Sequence, residues 1–400
     1  MHNHFQHHKY FKKKIPKGLK SLLANYIIID LAAGLFAVFL PIFLYEFFGK
    51  SLPVVFGFYL SCSFLTLLII ILWSRKLNKL GFRRVMKVSI FISALFYLGL
   101  SFLTLENLFF LIPIIIILSA TRSFLYWIPF NIDFAKFADD QDRGKTMGLL
   151  EIFLSITGTI APLIAGLIIN QYDFTFLFLL GAIIYIFSFI PLFSLPRTKE
   201  KFSWSVSKTI KKIFDKENRV TALTFFSEGA ESVIFLIVWP IFVFQILKGN
   251  YLSVGLISTA TVLVTITAQF FVGKKADGSK KSKDKLVKYG GIFYALAWFL
   301  KAFIFTTLHI FVIDIFHKLT QIFYKIPLNT LVFEKAAKQK HLIDEFTVFR
   351  EICLNAGKVG MLVIVLIFSF YLSLNWLFVF GALFSLFEAF YHRNLYCSLR

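Results

Sequence analysis

Leu125-Tyr126-Trp127-Ile128-Pro129-Phe130-Asn131 and Phe323-Tyr324-Lys325-Ile326-Pro327-Leu328-Asn329 share Tyr, Ile, Pro and Asn in register. The two strings lie about 200 residues apart, and each falls at the end of a long apolar stretch, so the chain reads as two equivalent halves. Asp30 and Glu228 correspond at the same offset. Chance repetition in a chain of low complexity is the competing explanation; the equivalent positions of the strings along their stretches argue against it.

Working outward, runs of the roughly 20 apolar residues needed to cross ~30 Å of hydrocarbon fall at 21–47, 52–73, 84–104, 108–132, 146–170 and 174–195. A second six follow at 221–247, 253–272, 286–308, 309–333, 346–371 and 374–396, the ninth and tenth dividing near His309. Ile112–Leu118 and Met361–Phe368 are unbroken apolar runs, whereas a membrane β-barrel needs alternating polarity. The expected fold is an all-α membrane protein of about twelve spans in two pseudo-symmetric six-helix bundles. Composition agrees, since 58% apolar and 16% charged residues over 400 positions exceed what one soluble core can hide. The net charge of +21 resides in short clusters between the apolar runs and not along one face, which excludes nucleic acid as the partner.

Those clusters, Lys9 to Lys20, Arg75 to Lys87, Lys136 to Lys145, Arg197 to Arg219, Lys274 to Lys288 and Lys335 to Lys340, occupy alternate connections. The positive-inside rule places them and both termini in the cytoplasm, in a multi-pass protein of the cytoplasmic membrane. The opposite connections are short and hold only Lys50 and Lys248, which leaves no room for an external domain. The expected organisation is a basic tail at 1–20, a first half at 21–195, a linker at 196–220, a second half at 221–396 and a terminus at 397–400. The first apolar run lacks a small-residue cleavage site and is read as helix 1, not a signal peptide. Cys62, Cys353 and Cys397 have neither pairing nor metal-ligand spacing and read as packing residues; His2, His4, His7 and His8 belong to a basic tail near anionic lipid. No cofactor or metal site is expected, and the chain is expected to be a monomer.

At this point the chain resembles the major facilitator superfamily. Ser74 to Arg84 resembles the family's Gly-x-x-x-Asp-Arg-x-Gly-Arg-Arg loop after helix 2, with Gly81, Arg83 and Arg84 matching, Ser74 replacing the first Gly and Asn78 the Asp. Gly273-Lys274-Lys275-Ala276-Asp277 resembles its second-half copy, keeping both Gly273 and Asp277. Arg143-Gly144 to Gly148 is similar to the family's entry into helix 5, and Pro162 with Gly166 is similar to its helix-5 antiporter motif. The resemblance implies two six-helix halves, a cytoplasmic gating loop at these residues, and a central cavity lined by helices 1, 4, 7 and 10. It implies a transported small molecule and names no substrate.

Charges inside the spans carry the functional expectation, because each costs about 2.5–3.5 kcal/mol at mid-bilayer on insertion scales unless paired or hydrated. Asp30 and Arg122 sit at similar depth, which sets them to pair. Glu228 and Glu231 share one face of helix 7; Asp314, His317, Lys318, Gln321 and Lys325 recur at three- and four-residue steps on helix 10, as a stripe expected to face the cavity. Asp30 or Glu228 is expected to exchange a proton, and Arg122 or Lys318 to bias it and meet an anionic substrate group. Static interhelical ion pairs are the plainer alternative. Glu151, Arg350, Glu351 and Asn355 read as helix-interface residues. A secondary transporter follows, with export favoured by the helix-5 motif and the Phe-rich helices. A polytopic enzyme is disfavoured, since the adjacent acids Asp139 and Asp140 lie in a Lys-rich connection and no phosphate loop, zinc spacing or nucleophile elbow occurs. A transporter-shaped receptor or scaffold is the remaining alternative.

Overall fold

The computed structural model describes residues 16–137, 143–196, 198, 205–276, 280–338 and 343–391. Among them the regular structure is helical. The first half comprises α1 (Lys17–Phe47), α2 (Leu52–Lys76), α3 (Phe82–Ser101), α4 (Leu108–Phe137), α5 (Arg143–Gln171) and α6 (Phe174–Phe193). The second comprises α7 (Arg219–Ile246), α8 (Tyr251–Ala276), α9 (Lys280–Lys301), α10 (Thr307–Lys338), α11 (Ile343–Phe368) and α12 (Phe378–Tyr391). Eight of these are long and apolar enough to cross a bilayer on length and hydropathy alone, and many of their large apolar side chains, such as Phe109, Phe110 and Ile114, are exposed.

Packing repeats with the sequence. In the first half α1 packs on α5 and α6, α3 on α4 and α6, and α2 on α4; in the second α7 packs on α11 and α12, α9 on α10 and α12, and α8 on α10. The halves meet through α2 against α11 and through α5 against α8, which are again equivalent pairs. Close approach at these seams needs small residues, as expected where lipid removes the hydrophobic drive for helix association. A Cβ on Gly357 of α11 would lie 1.9 Å from the Phe226 carbonyl oxygen of α7. Across α5 and α8, a Cβ on Gly255 would stand 2.6 Å from the Pro162 carbonyl oxygen, and Thr259 donates to the Thr159 carbonyl at 2.6 Å.

The first helix of each half is bent by proline. Pro41 has no N–H for the Ala37 carbonyl, and α1 breaks there into Lys17–Ala37 and Phe39–Phe47. Pro240 does the same in α7, where the chain answers with a π-helical turn, Ile234–Val238. Both helices then end in a Schellman turn: Lys50 N–H donates to the Tyr45 carbonyl at 2.7 Å, and Gly249 N–H to the Phe244 carbonyl at 3.0 Å, with Gly49 and Lys248 at positive φ.

Two expected boundaries shift. The break between the ninth and tenth spans falls before Thr307, not at His309, because Thr306 caps α10 by accepting from the His309 N–H at 3.2 Å. The repeated Pro strings also do not end their helices: Pro129 lies inside α4, which runs to Phe137, and α10 continues past Pro327 to Lys338. Between the halves, Ser205 caps a short helix, Val206–Phe214, that packs on α11 and α7.

Candidate functional site

A cavity of about 460 Å³ lies between the halves. Its described walls come from α1, α2, α3, α4, α6, α7 and α11. One wall is hydroxyl-rich, with Thr66, Ser89 and Ser93 among its residues; their O–H groups donate to the Cys62, Met86 and Ser89 carbonyls at 2.7, 2.7 and 2.8 Å. With those protons engaged by the helix backbone, the hydroxyls present acceptor lone pairs to the cavity. The facing wall is apolar, from Leu40, Val233, Ile237 and Leu362 among others, and Tyr26, Tyr126 and Trp127 add aromatic rings. A chamber that sets convergent polar groups against an apolar wall has the form of a small-molecule site.

Three charged residues line it, Asp30, Arg122 and Lys358. Asp30 and Arg122 share the cavity as their depth predicted, yet they form no pair. The Asp30 carboxylate accepts from the Thr157 hydroxyl across the α1–α5 seam. The Arg122 guanidinium turns toward α3 instead, 4.3 Å from the Phe96 ring centre and 5.5 Å from that of Tyr97, near the Tyr97 and Tyr185 hydroxyls. Its Nε has no hydrogen-bond partner, and no described carboxylate forms an ion pair with it. An arginine held by aromatic faces keeps its charge and leaves its fork free for an anion.

The α10 stripe does not reach this cavity. It faces into the second half, because α10 packs on α9 and α8. Asp314 accepts from Lys301 of α9 at 3.2 Å and pairs with Lys318 at 3.3 Å; Lys301 is fully enclosed, 3.4 Å above the Trp239 ring. His317, also fully enclosed, stacks on Tyr294 at 4.7 Å and meets Trp298 edge-on at 4.4 Å, with neither ring nitrogen hydrogen-bonded. Gln321 donates to the Tyr294 hydroxyl at 3.5 Å. Lys325 lies 3.6 Å from Glu231 and 3.4 Å from Glu388 of α12, and the Tyr294 hydroxyl donates to Glu231 at 2.5 Å. Glu228 does not join this set: it pairs with Arg350 of α11 at 3.1 Å, across α7 and α11.

Toward the Lys/Arg-rich end the halves are joined by Lys136 and Asp344 at 2.8 Å and by Asn131, which donates to Glu351 at 3.3 Å. Arg350 also lies 3.8 Å from Glu351, and Asn355 donates to the Glu351 carbonyl at 2.8 Å while lining the cavity. In the loop after α2, Gly81 adopts φ 77°, which favours glycine, and Arg83 donates to the Leu192 carbonyl at 3.1 Å and to that of Phe193. Arg83 thus seats on the carbonyl end of α6, where the helix dipole favours a cation, and Arg84 is exposed. Pro162 and Gly166 lie at the α5–α8 seam, a Cβ on Gly166 meeting the Tyr251 carbonyl oxygen at 2.9 Å. Gly273 falls in the last turns of α8. Asp277 and the side chains of Asn78, Arg143 and Glu151 lie outside the described residues. At the opposite end Gln245 donates to the Tyr45 hydroxyl at 2.7 Å, and Tyr251 donates to Glu46.

Lys301, Tyr294 and Glu388 lie on α9 and α12, outside helices 1, 4, 7 and 10 that the sequence sets around the cavity. Lys301 and Glu388 were visible all the same, as charges interrupting the ninth and twelfth apolar stretches.

Comparison with known proteins bears on this architecture. The chain is 24% identical over 354 residues to the uncharacterized protein YqgE of Bacillus subtilis (strain 168), covering 86% of this chain and 81% of that one. The human organic anion transporter MFSD10 (TETRAN) superposes with a TM-score of 0.66 at 12% identity, over 95% of this chain and all of that one, and so shares the fold. The family model of the Major Facilitator Superfamily matches residues 22–343. The chain, whose described residues pack in two equivalent halves around a cavity, belongs to the Major Facilitator Superfamily and is a multi-pass membrane transporter of small molecules.

Proposed function

We propose that the protein is a secondary transporter that carries a small amphipathic organic anion across the cytoplasmic membrane by alternating access, coupled to proton exchange at Asp30. The observation that carries the reading is Arg122, a cavity-wall cation without a described acidic partner. An anionic head on its guanidinium, with an apolar or aromatic body against Tyr26, Trp127 and Leu236, matches the cavity's two walls. The structural neighbour MFSD10 is described as an organic anion transporter, which supports the same class. Asp30 is the cavity's one acidic lining residue among those described, placed so that its charge competes with the cargo's. The halves 21–195 and 221–396 rock about the cavity, with both termini in the cytoplasm. The rim contacts Lys136–Asp344 at one end and Tyr45–Gln245 at the other are the latches that alternate. The helix-5 motif seated on α8 favours export over import.

The test is transport in proteoliposomes with a panel of aromatic and aliphatic carboxylates, under an imposed pH gradient. Arg122→Gln should abolish anion flux. Asp30→Asn should leave the protein folded and uncouple flux from the gradient; undiminished coupling removes Asp30 from the mechanism. Silence of the wild type across the panel sinks the anion reading, and the Asn78 replacement in the gating loop then favours a scaffold without transport.

A further inference from the structure

Inside the second half, among residues that do not line the cavity, two carboxylates compete for one ammonium. Lys325 of α10 lies 3.6 Å from Glu231 on α7 and 3.4 Å from Glu388 on α12. The competition is uneven. Glu231 also receives the Tyr294 hydroxyl at 2.5 Å, so two donors hold its charged form. Glu388 is fully enclosed, and its Oε1 has no partner. Two further polar atoms in the same layer are enclosed and unpartnered, the Tyr324 hydroxyl next to Glu388 and the Ser385 hydroxyl one helical turn before it on α12.

The other groups facing Glu388 decide its preferred form. From α7 come the negative charges of Glu228 and Glu231, from α10 Lys325 and the neutral Tyr324, from α9 the neutral Tyr294, and from α11 Arg350, which Glu228 already engages at 3.1 Å. A fully enclosed carboxyl with one oxygen unpartnered, sharing Lys325 with Glu231, lacks the donors that a buried carboxylate requires. A protonated Glu388 also turns its bare oxygen from an unmet acceptor into an O–H donor aimed among hydroxyls.

We infer that Glu388 is a proton-binding site of the second half, and that proton gain or loss there switches Lys325 between Glu231 alone and a shared bridge to both acids. On protonation one proton passes from solvent to the Glu388 carboxylate, and Lys325, keeping its own charge, closes on Glu231. On release Lys325 spans α7 and α12 through both carboxylates. The switch needs no substrate in the central cavity, so it stands or falls apart from the anion reading.

The experiment is pH-difference infrared spectroscopy of the purified protein in lipid nanodiscs, reading the protonated-carboxyl C=O stretch above the amide I band. The wild type should show a band that Glu388→Gln removes and that Glu231→Gln confines to lower pH, because Lys325 is then left to Glu388 alone. Tyr324→Phe, which keeps the carboxyl and takes away its neighbouring hydroxyl, should move the band to higher wavenumber and so reports on the same group if Glu388→Gln misfolds. No band in the wild type overturns the inference; so does a band indifferent to Glu388→Gln in a monodisperse preparation, or one indifferent to Tyr324→Phe.

Discussion

Asp314→Asn is the substitution whose cost follows most directly from the structure. Asp314 is 3% exposed and sits between two ammonium groups, Lys301 at 3.2 Å and Lys318 at 3.3 Å. At an effective dielectric of about 20, one such contact amounts to about 5 kcal/mol before desolvation is charged against it. Removing the carboxylate strands Lys301, which has no exposure and, among the described residues, the Trp239 and Trp298 rings beside it at 3.4 and 4.7 Å. Breaking a buried pair from one side costs about 3–5 kcal/mol. Lys301→Met should cost distinctly less, because Asp314 keeps Lys318 and the thioether still packs on the two indoles. The double variant should then be more stable than the two single losses predict, by a coupling of about 0.5–3 kcal/mol. Equilibrium unfolding in mixed micelles, read by tryptophan fluorescence, measures all three. Equal costs for the two single variants, or strict additivity in the double, would refute the view that Asp314 neutralises an otherwise stranded lysine.

Two other outcomes follow from the packing and the cavity. Gly357→Ala places a Cβ 1.9 Å from the Phe226 carbonyl oxygen and should destabilise by about 1–3 kcal/mol or more as α7 and α11 are forced apart, whereas Gly57→Ala, with open space around it, should stay within about 0.5 kcal/mol; thermal melts of both in detergent compare them. In a background with Cys62, Cys353 and Cys397 replaced by Ser, Ser63→Cys at the half-buried cavity wall should react with a membrane-permeant maleimide, more slowly when a transported anion is present, and Arg122→Gln should remove that protection; equal protection in the variant separates Arg122 from the cargo.

The helices and their two-fold repetition were legible because lipid imposes one rule on every span, and the repeated Tyr-x-Ile-Pro-x-Asn strings marked equivalent places. Within α4 and α10 those strings proved to lie inside the helix, since neighbouring helices at membrane depth let a proline be carried without ending it. Side-chain partners were much less legible. Depth along a helix is set by counting residues, and it brought Asp30 and Arg122 to one cavity; azimuth is set by packing, and it gave Asp30 to Thr157 and Arg122 to Phe96. The same distinction hid Lys301 and Glu388, whose importance comes from the neighbours that α9 and α12 acquire only on folding.

The π-helical turn in α7 carries one residue more than α1 has at the same place. Eleven positions separate Asp30 from Pro41, and twelve separate Glu228 from Pro240, although both helices bend at the proline and close in the same turn. A π-turn holds more residues per revolution than an α-turn, so the surplus residue is taken up within Ile234–Val238 and the helix on either side keeps its phase. That Asp30 lines the shared chamber while Glu228 and Glu231 meet Arg350 and Tyr294 then comes from the partners α11 and α9 supply. Deleting one residue from Ile234–Val238 should restore a plain α-helical turn and leave those acids with the same partners: a wide turn lets one copy of a duplicated fold carry an inserted amino acid without losing register.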